Sequence, residues 1–364
     1  MRRMVVMAGG TRSPMRFDDY MDAALYGDSG FYTSGGRPSA RQRIGQARGD
    51  FATSVELGTL FARCIAGWLD RTWRELGRPD PFVVVEGGAG RGTLCLDVLA
   101  HVEATSAALG AALRYVMVER VAGLRHAAES RLAASSFPLA VAVPDLPSGP
   151  FVGVVIANEL LDNLPLRLLE RSHDGWQEIH VQLRTVGADE PAVEVMRPAD
   201  ADAAAMAAAL APDAAVGSRV PLQLRAAVWV RRALRLVRRG CVLVFDYGVP
   251  STAELIARSH TEWLRTYRAH RRGLDVLRAP GTADITCDVA FDQLPPGATL
   301  STQAEWLAAA GIDSMTAGAR SCWQRSRAAP TADALGARAL LDEAAALTDP
   351  SGMGAFTVAE WRID

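Results

Sequence analysis

The stretch Phe82-Val83-Val84-Val85-Glu86-Gly87-Gly88-Ala89-Gly90-Arg91-Gly92-Thr93-Leu94 decides the fold class of this 364-residue chain. An apolar, β-branched run reaches a carboxylate, then a glycine-dense turn, then an apolar-periodic segment. That order predicts a buried strand, a tight loop and a helix, the opening of a nucleotide-binding α/β unit. Glycines let the backbone take positive φ and approach a ligand closely, while the helix N–H groups point at it. Dinucleotide loops follow G-x-G-x-x-G/A. Counted from Gly88 the third position holds Thr93, and from Gly90 it holds Cys95, so neither register fits. What remains, E-x-G-x-G-x-G, suits S-adenosylmethionine (SAM) better than NAD or FAD, with plain packing of a strand-to-helix turn as the alternative.

Strand and helix signals alternate outward from this motif. Helical pattern runs to about Ala112, followed by a strand over Arg114–Glu119 and an apolar run near Leu139–Val143. A buried strand follows over Phe151–Ala157, then hairpin-like alternation over 167–183 around Asp174-Gly175. An alanine-rich stretch, 199–216, reads as a surface helix or insert. Then come a helix near Leu222–Arg238, a strand over Cys241–Asp246, a helix over Thr302–Ala310, a strand-like Ile312–Met315 and a last strand near Ala355–Trp361. Residues 15–80 read as mostly helical. Successive βα units imply a doubly wound, mostly parallel sheet covered on both faces.

Composition narrows the function. Hydrophobic content of 49% supports a large core, and no apolar run reaches membrane-spanning length. A net charge of −2 argues against general nucleic-acid binding. Cys64, Cys95, Cys241, Cys287 and Cys322 form no CxxC pair, and the six histidines show no metal spacing. The start lacks a signal-peptide apolar region, so the expectation is a soluble cytoplasmic protein. All 39 basic residues are arginine. Without lysine there is no pyridoxal Schiff base, no P-loop lysine and no lysine nucleophile.

In open α/β sheets ligands sit beyond the carboxyl ends of the strands. Four predicted strands end there in polar residues: Glu86, Glu119, Asn158-Glu159 and Asp246-Tyr247. A carboxylate at Glu119 suits the ribose hydroxyls, each such charged hydrogen bond contributing about 1.5–3 kcal/mol. Glu86 is placed to orient the loop or to approach the methionine ammonium.

Further motifs resemble the MidA/NDUFAF7-like family of class I SAM-dependent methyltransferases over nearly the whole length. Phe17-Asp18-Asp19-Tyr20-Met21, Ala24-Leu25-Tyr26 and Gly30-Phe31-Tyr32 look like its entry segment. Gly49-Asp50-Phe51-Ala52-Thr53-Ser54 followed by Glu56 is similar to its GDFxTSPE motif, with Val55 in place of proline. Ala157-Asn158-Glu159-Leu160-Leu161-Asp162-Asn163-Leu164-Pro165 matches ANExxDxLP, and Asp246-Tyr247-Gly248 matches DYG. Tyr267-Arg268-Ala269-His270, Asp284-Ile285-Thr286, Thr302-Gln303 and Met353-Gly354 with Phe356 follow in family order. One departure is the absence of a glutamate shortly after Gly217, with Pro221 near its place.

The resemblance implies a Rossmann-like core at 81–364 with inserts at about 163–220 and 248–300, after the fourth and fifth strands. An N-terminal helical extension, 1–80, would cover the cofactor site. It implies SAM as cofactor, held by Asp50, Thr53, Glu86, Gly87, Gly88, Gly90, Gly92, Glu119 and Asn158. Glu159, Asp162, Asp246, Tyr247 and His270 would serve catalysis, with no metal. The implied reaction is methylation of a protein arginine in a respiratory-complex subunit. A small-molecule methyltransferase and a SAM-binding assembly factor with little turnover are the alternatives. Expected partners are a protein substrate or small-molecule acceptor, with a homodimer also open, and neither nucleic acid nor membrane insertion. The Arg231, Arg232, Arg235, Arg238 and Arg239 cluster reads as a solvated face. Arg265, Arg268, Arg271 and Arg272 beside Tyr267 form a second cluster that would suit an acidic substrate surface, and Trp229 and Trp263 read as packing residues.

Overall fold

The computed structural model describes residues 13–34, 54–55, 57–135, 137–183, 192–268, 271–273 and 275–364. The β-branched run of the opening motif forms the strand Phe82–Gly87, buried at every position but one, because it lies inside a sheet with parallel neighbours on both sides. Taken in chain order, the strands of this sheet are β1 (Phe82–Gly87), β2 (Leu113–Val118), β3 (Ala140–Val143), β4 (Phe151–Asn158), β5 (Val237–Asp246), β6 (Thr299–Thr302) and β7 (Thr357–Ile363). Their spatial order is β6-β7-β5-β4-β1-β2-β3. The first five run parallel, and β7 inserts antiparallel between β5 and β6. The chain order reverses between β1 and β4, which is where ligands sit in folds of this kind.

The chain divides into two compact units. The seven-stranded sheet belongs to the unit formed by the described parts of 40–159, 232–247 and 297–364. Its core joins the helix Leu60–Glu75, with Phe61, Ile65, Trp68 and Leu69 on one face, to Val84, Ile156, Phe245 and Trp306. Thr59, at the start of that helix, makes no side-chain cap. The Glu343 carboxylate, from the helix Ala332–Thr348, instead accepts from Leu60 N at 2.6 Å. This satisfies one of the otherwise orphaned N–H groups.

The second unit comprises the described parts of 1–39, 160–231 and 248–296. Its main sheet is antiparallel, ordered Met15–Arg16, Gly175–Gln182, Arg167–Ser172, Arg219–Leu222, with Val193–Pro198 also pairing Gly175–Gln182. The expected hairpin around Asp174-Gly175 is therefore present. A three-stranded sheet places Leu264–Arg268 between Arg271–Gly273 and Asp284–Cys287. The helix Phe17–Tyr26 buries Phe17, Tyr20, Met21 and Leu25, a helical stripe, in a core shared with Leu168, Ile179 and Trp263.

Two expectations need correction. Ile312–Met315 is no strand but the first turn of the helix Ile312–Ser326. A four-residue apolar run carries too little period to tell the two apart. Gly311, at φ +97, closes the preceding helix and restarts the chain, so the strand near this point is β6, ahead of that preceding helix. The alanine-rich stretch forms the expected surface helix, Ala201–Leu210, exposed over most of its length and seated through Ala203 and Ala207 on Leu169, Trp176 and Val220. Arg265 is buried and paired to Asp288, so it does not belong to an exposed basic cluster.

Candidate active site

The glycine loop follows β1 as the spacing requires. Gly88, Gly90 and Gly92 all have positive φ, at 69°, 56° and 74°. The alternate-glycine pattern is thus a backbone demand, since side-chain-bearing residues avoid this region. Gly92 has a second constraint, because a Cβ there would lie 2.7 Å from Met117 Sδ and 3.3 Å from Ala128 Cβ. Beyond it the helix Thr93–Thr105 begins, its first N–H groups next to the loop.

Glu119 stands just past β2 and is 7% exposed. One carboxylate oxygen accepts from Gly90 N at 3.0 Å and the other from Val121 N at 2.7 Å. It therefore holds the loop in shape. Glu86 lies within β1, just ahead of the loop. It is buried, and Tyr115 Oη donates to it at 2.8 Å. Burial pushes its carboxyl up to about 8, against weaker opposition from the Tyr115 hydrogen bond. At neutral pH it is mostly uncharged, which suits loop orientation better than pairing with an ammonium.

The carboxyl ends of β4 and β5 carry the acceptor-rich part of the site. Asn158 ends β4, and its Nδ2 donates to Glu159 Oε1 at 3.1 Å. Its Oδ1 is buried without a partner among the described residues. Glu159 takes φ +50, a left-handed conformation that is rare without glycine, while its N–H donates to Phe245 O at 2.8 Å. Such strain costs energy that the surrounding contacts offset. Asp246 ends β5, wholly buried, and its Oδ1 accepts from Tyr247 N at 3.0 Å. The Tyr247 ring packs 5.5 Å from that of Phe356.

Ser54, Gln303 and Met353 also belong to this unit's site, although they were quoted in motifs without a role. Ser54 N donates to Glu159 Oε1 at 3.0 Å, and Ser54 Oγ donates to Gln303 Oε1 at 3.2 Å. Met353 Sδ lies 3.9 Å from the same hydroxyl, and Gln303 Nε2 donates to Leu347 O. Four motifs separated by as many as 299 residues thus meet at one serine. The available signal was that order-preserving match of short motifs.

In the other unit Asp162 is 2% exposed within the short 3-10 turn Leu161–Asn163. The neighbouring Asn163 reaches Tyr32 and Asp284. Asp50, Thr53 and His270 lie outside the described residues. No helix among the described residues is long and apolar enough to cross a membrane.

A glycine loop braced by a carboxylate, at the switch point of a β3-β2-β1-β4-β5-β7-β6 sheet, places the chain in the class of nucleoside-binding α/β proteins. The family model described as "Putative S-adenosyl-L-methionine-dependent methyltransferase" matches residues 64–309, more than half the chain, and the chain belongs to that family. Curated relatives include "Protein arginine methyltransferase NDUFAF7, mitochondrial" of Xenopus tropicalis, 28% identical over 67% of this chain and 59% of that protein. The Homo sapiens protein of the same name is 27% identical over 77% of this chain and 65% of its own length. The chain thus spans about three fifths of these relatives. A Burkholderia thailandensis structure bound to S-adenosyl-homocysteine superposes with a TM-score of 0.79 at 29% identity, over 96% of this chain and 89% of that one. The cytoplasmic expectation is corrected here, because the named relatives are mitochondrial proteins.

Proposed function

We propose that this chain transfers a methyl group from SAM to an arginine side chain of a protein partner. The observation that carries the reading is the acceptor-rich rim at the ends of β4 and β5: the Asn158 Oδ1, the strained Glu159 and the buried Asp246. A guanidinium has five donors and no acceptor, so it matches such a rim. The names of the curated relatives support the same acceptor.

The residues fit SAM. Gly87, Gly88, Gly90 and Gly92 leave room for close backbone approach, Glu119 fixes the loop, and Glu86, held by Tyr115, anchors the strand end from which it departs. Asp50, Thr53 and Asn158 complete the proposed cofactor contacts. When bound, SAM supplies a methyl group on a sulfonium that is already activated. The chain therefore has to align the acceptor and exclude water rather than create a leaving group. Arginine makes one more demand. With a pKa above about 12, its neutral fraction at pH 7 is below roughly one in 10⁵. Glu159 and Asp246 hold the guanidinium in one orientation and accept its proton as the new N–C bond forms, and Tyr247 shapes the rim. Self-association as a homodimer is a separate proposal, to be checked by sedimentation.

The test is incubation of the full chain with methyl-labelled SAM and cell lysate, followed by mass spectrometry of labelled proteins. Methylarginine on a protein supports the proposal. Label confined to small molecules, or SAM binding without transfer, overturns it.

A further inference from the structure

Gln303 is wholly buried, a costly place for an amide unless its polar atoms are paired. Thr302 and Glu305 form a capping box at the start of the helix Gln303–Ala310, which fixes Gln303 as its first residue. The N–H of that position has no partner inside the helix and donates instead to Phe356 O at 2.8 Å. The side-chain Nε2 donates to Leu347 O at 3.0 Å, so the acceptor of the amide is Oε1, and it takes the Ser54 hydroxyl at 3.2 Å. One residue thus ties both ends of the segment 347–356 to Ser54.

Ser54 is also 0% exposed and passes the tie on. With its hydroxyl committed to Gln303, its N–H donates to Glu159 Oε1 at 3.0 Å, where Asn158 Nδ2 donates as well at 3.1 Å. A glutamate side chain has several rotatable bonds, and donors from two separate segments confine its carboxylate. Ser54, Glu159, Gln303, Leu347 and Phe356 belong to the same compact unit as Asn158, Asp246 and Tyr247. We propose that Gln303 and Ser54 are positioning residues: Gln303, anchored on Leu347 and Phe356, seats Ser54, and Ser54 holds the Glu159 carboxylate in one arrangement during methyl transfer. This rests on the reading of Glu159 as an acid that holds the guanidinium. Neither residue touches a reacting atom, since Gln303 acts through Ser54 and Ser54 through Glu159. A carboxylate already held in place loses less entropy when acceptor and methyl donor align.

Ser54→Ala removes the hydroxyl and keeps the backbone N–H, so its effect reports how well that N–H is placed. Gln303→Met removes both side-chain partners with little change in volume. For the full chain, kcat for protein methylation should fall about fivefold or more in each variant, with SAM affinity within about twofold. Glu159→Gln should itself lose about tenfold or more, and Ser54→Ala added to it should cost about twofold at most, because the serine works through that carboxylate. Losses that multiply in the double variant, full kcat in either single variant, or a parallel loss of SAM affinity overturn the proposal.

Hydrogen exchange at the amide of residue 54, resolved to single residues by fragmentation, reports the bond to Glu159 whatever the acceptor is. Ser54→Ala and Gln303→Met should each speed it about tenfold or more, with β1, β4 and β5 unchanged. Unchanged exchange at residue 54, or faster exchange throughout the unit, overturns the proposal. If the wild type methylates nothing, or Glu159→Gln keeps full turnover, the functional reading falls, and the exchange data alone decide whether the pair holds that carboxylate.

Discussion

At the residue scale, Glu159 sets stability against function. Its left-handed backbone costs about 1–3 kcal/mol, and the charge-assisted hydrogen bonds from Ser54 N and Asn158 Nδ2 return a similar amount. Glu159→Gly releases the strain while losing those bonds. Its melting temperature should stay within a few degrees of wild type while methyl transfer drops about a hundredfold. A glycine variant with full turnover would remove Glu159 from the chemistry. Glu86 gives a pH signature. Its folded-state carboxyl is raised to about 8 from an ordinary 4.5, so the native protein keeps a proton that the unfolded chain has released. Below about pH 4.5 both states are protonated and burial of this group costs nothing extra. As pH climbs toward 8 the unfolded state is increasingly favoured, and above 8 the effect levels off. Urea midpoints should therefore fall more steeply between about pH 5.5 and 8 for wild type than for Glu86→Gln. Equal slopes would show that Glu86 is not the source.

At the scale of elements, the strand–loop–helix of the opening motif was legible because its glycines obey backbone geometry and its strand is buried on both faces. What braces the loop was not. The reading of Glu119 reached as far as a ribose acceptor, whereas its carboxylate accepts from Gly90 N and Val121 N. A hydrogen bond across 29 residues leaves no local pattern. Glu119→Ala should loosen the loop and raise the SAM Kd by about ten- to hundredfold, measured by calorimetry, while Glu119→Gln, which keeps one acceptor, loses less. The end of the helix Leu60–Glu75 shows the same limit. Thr59 stands at the N-cap position without capping, and the acceptor is Glu343, more than 280 residues on. Glu343→Ala should cost about 0.5–2 kcal/mol in urea unfolding, and Thr59→Ala much less. Equal losses would show that Glu343 does not cap this helix. Rim residues Glu159, Asp246 and Tyr247 were legible because strand ends are easy to find. Ser54 and Gln303 gained their part only when the fold brought distant motifs together.

At the scale of the whole molecule, both units are discontinuous in sequence. The central sheet draws β1 to β4 from one stretch, β5 from a second, and β6 and β7 from a third. β5 is the decisive piece, since it pairs with β4 on one side and β7 on the other. It is also flanked in the chain by segments of the other unit, 160–231 before it and 248–296 after it. Each flanking segment carries strands that pair within their own unit, so a periodicity scan sees hairpins and helices but no boundary. The consequence concerns truncation. A fragment of residues 1–159 keeps the glycine loop, Glu119 and Glu159, every short motif of the cofactor side. It leaves β4 as an open edge with its apolar residues Val154, Val155 and Ile156, all 0% exposed in the intact chain, facing water. An exposed apolar edge strand invites pairing with other chains. Cores of this kind are stable by only about 5–15 kcal/mol, less than the loss of three strands and their packing removes. The fragment should therefore aggregate or stay unfolded by circular dichroism and show no SAM binding, despite holding the whole motif. A soluble, folded 1–159 that binds SAM would mean that β5 is dispensable and that the sheet's cohesion lies in β1 to β4 alone.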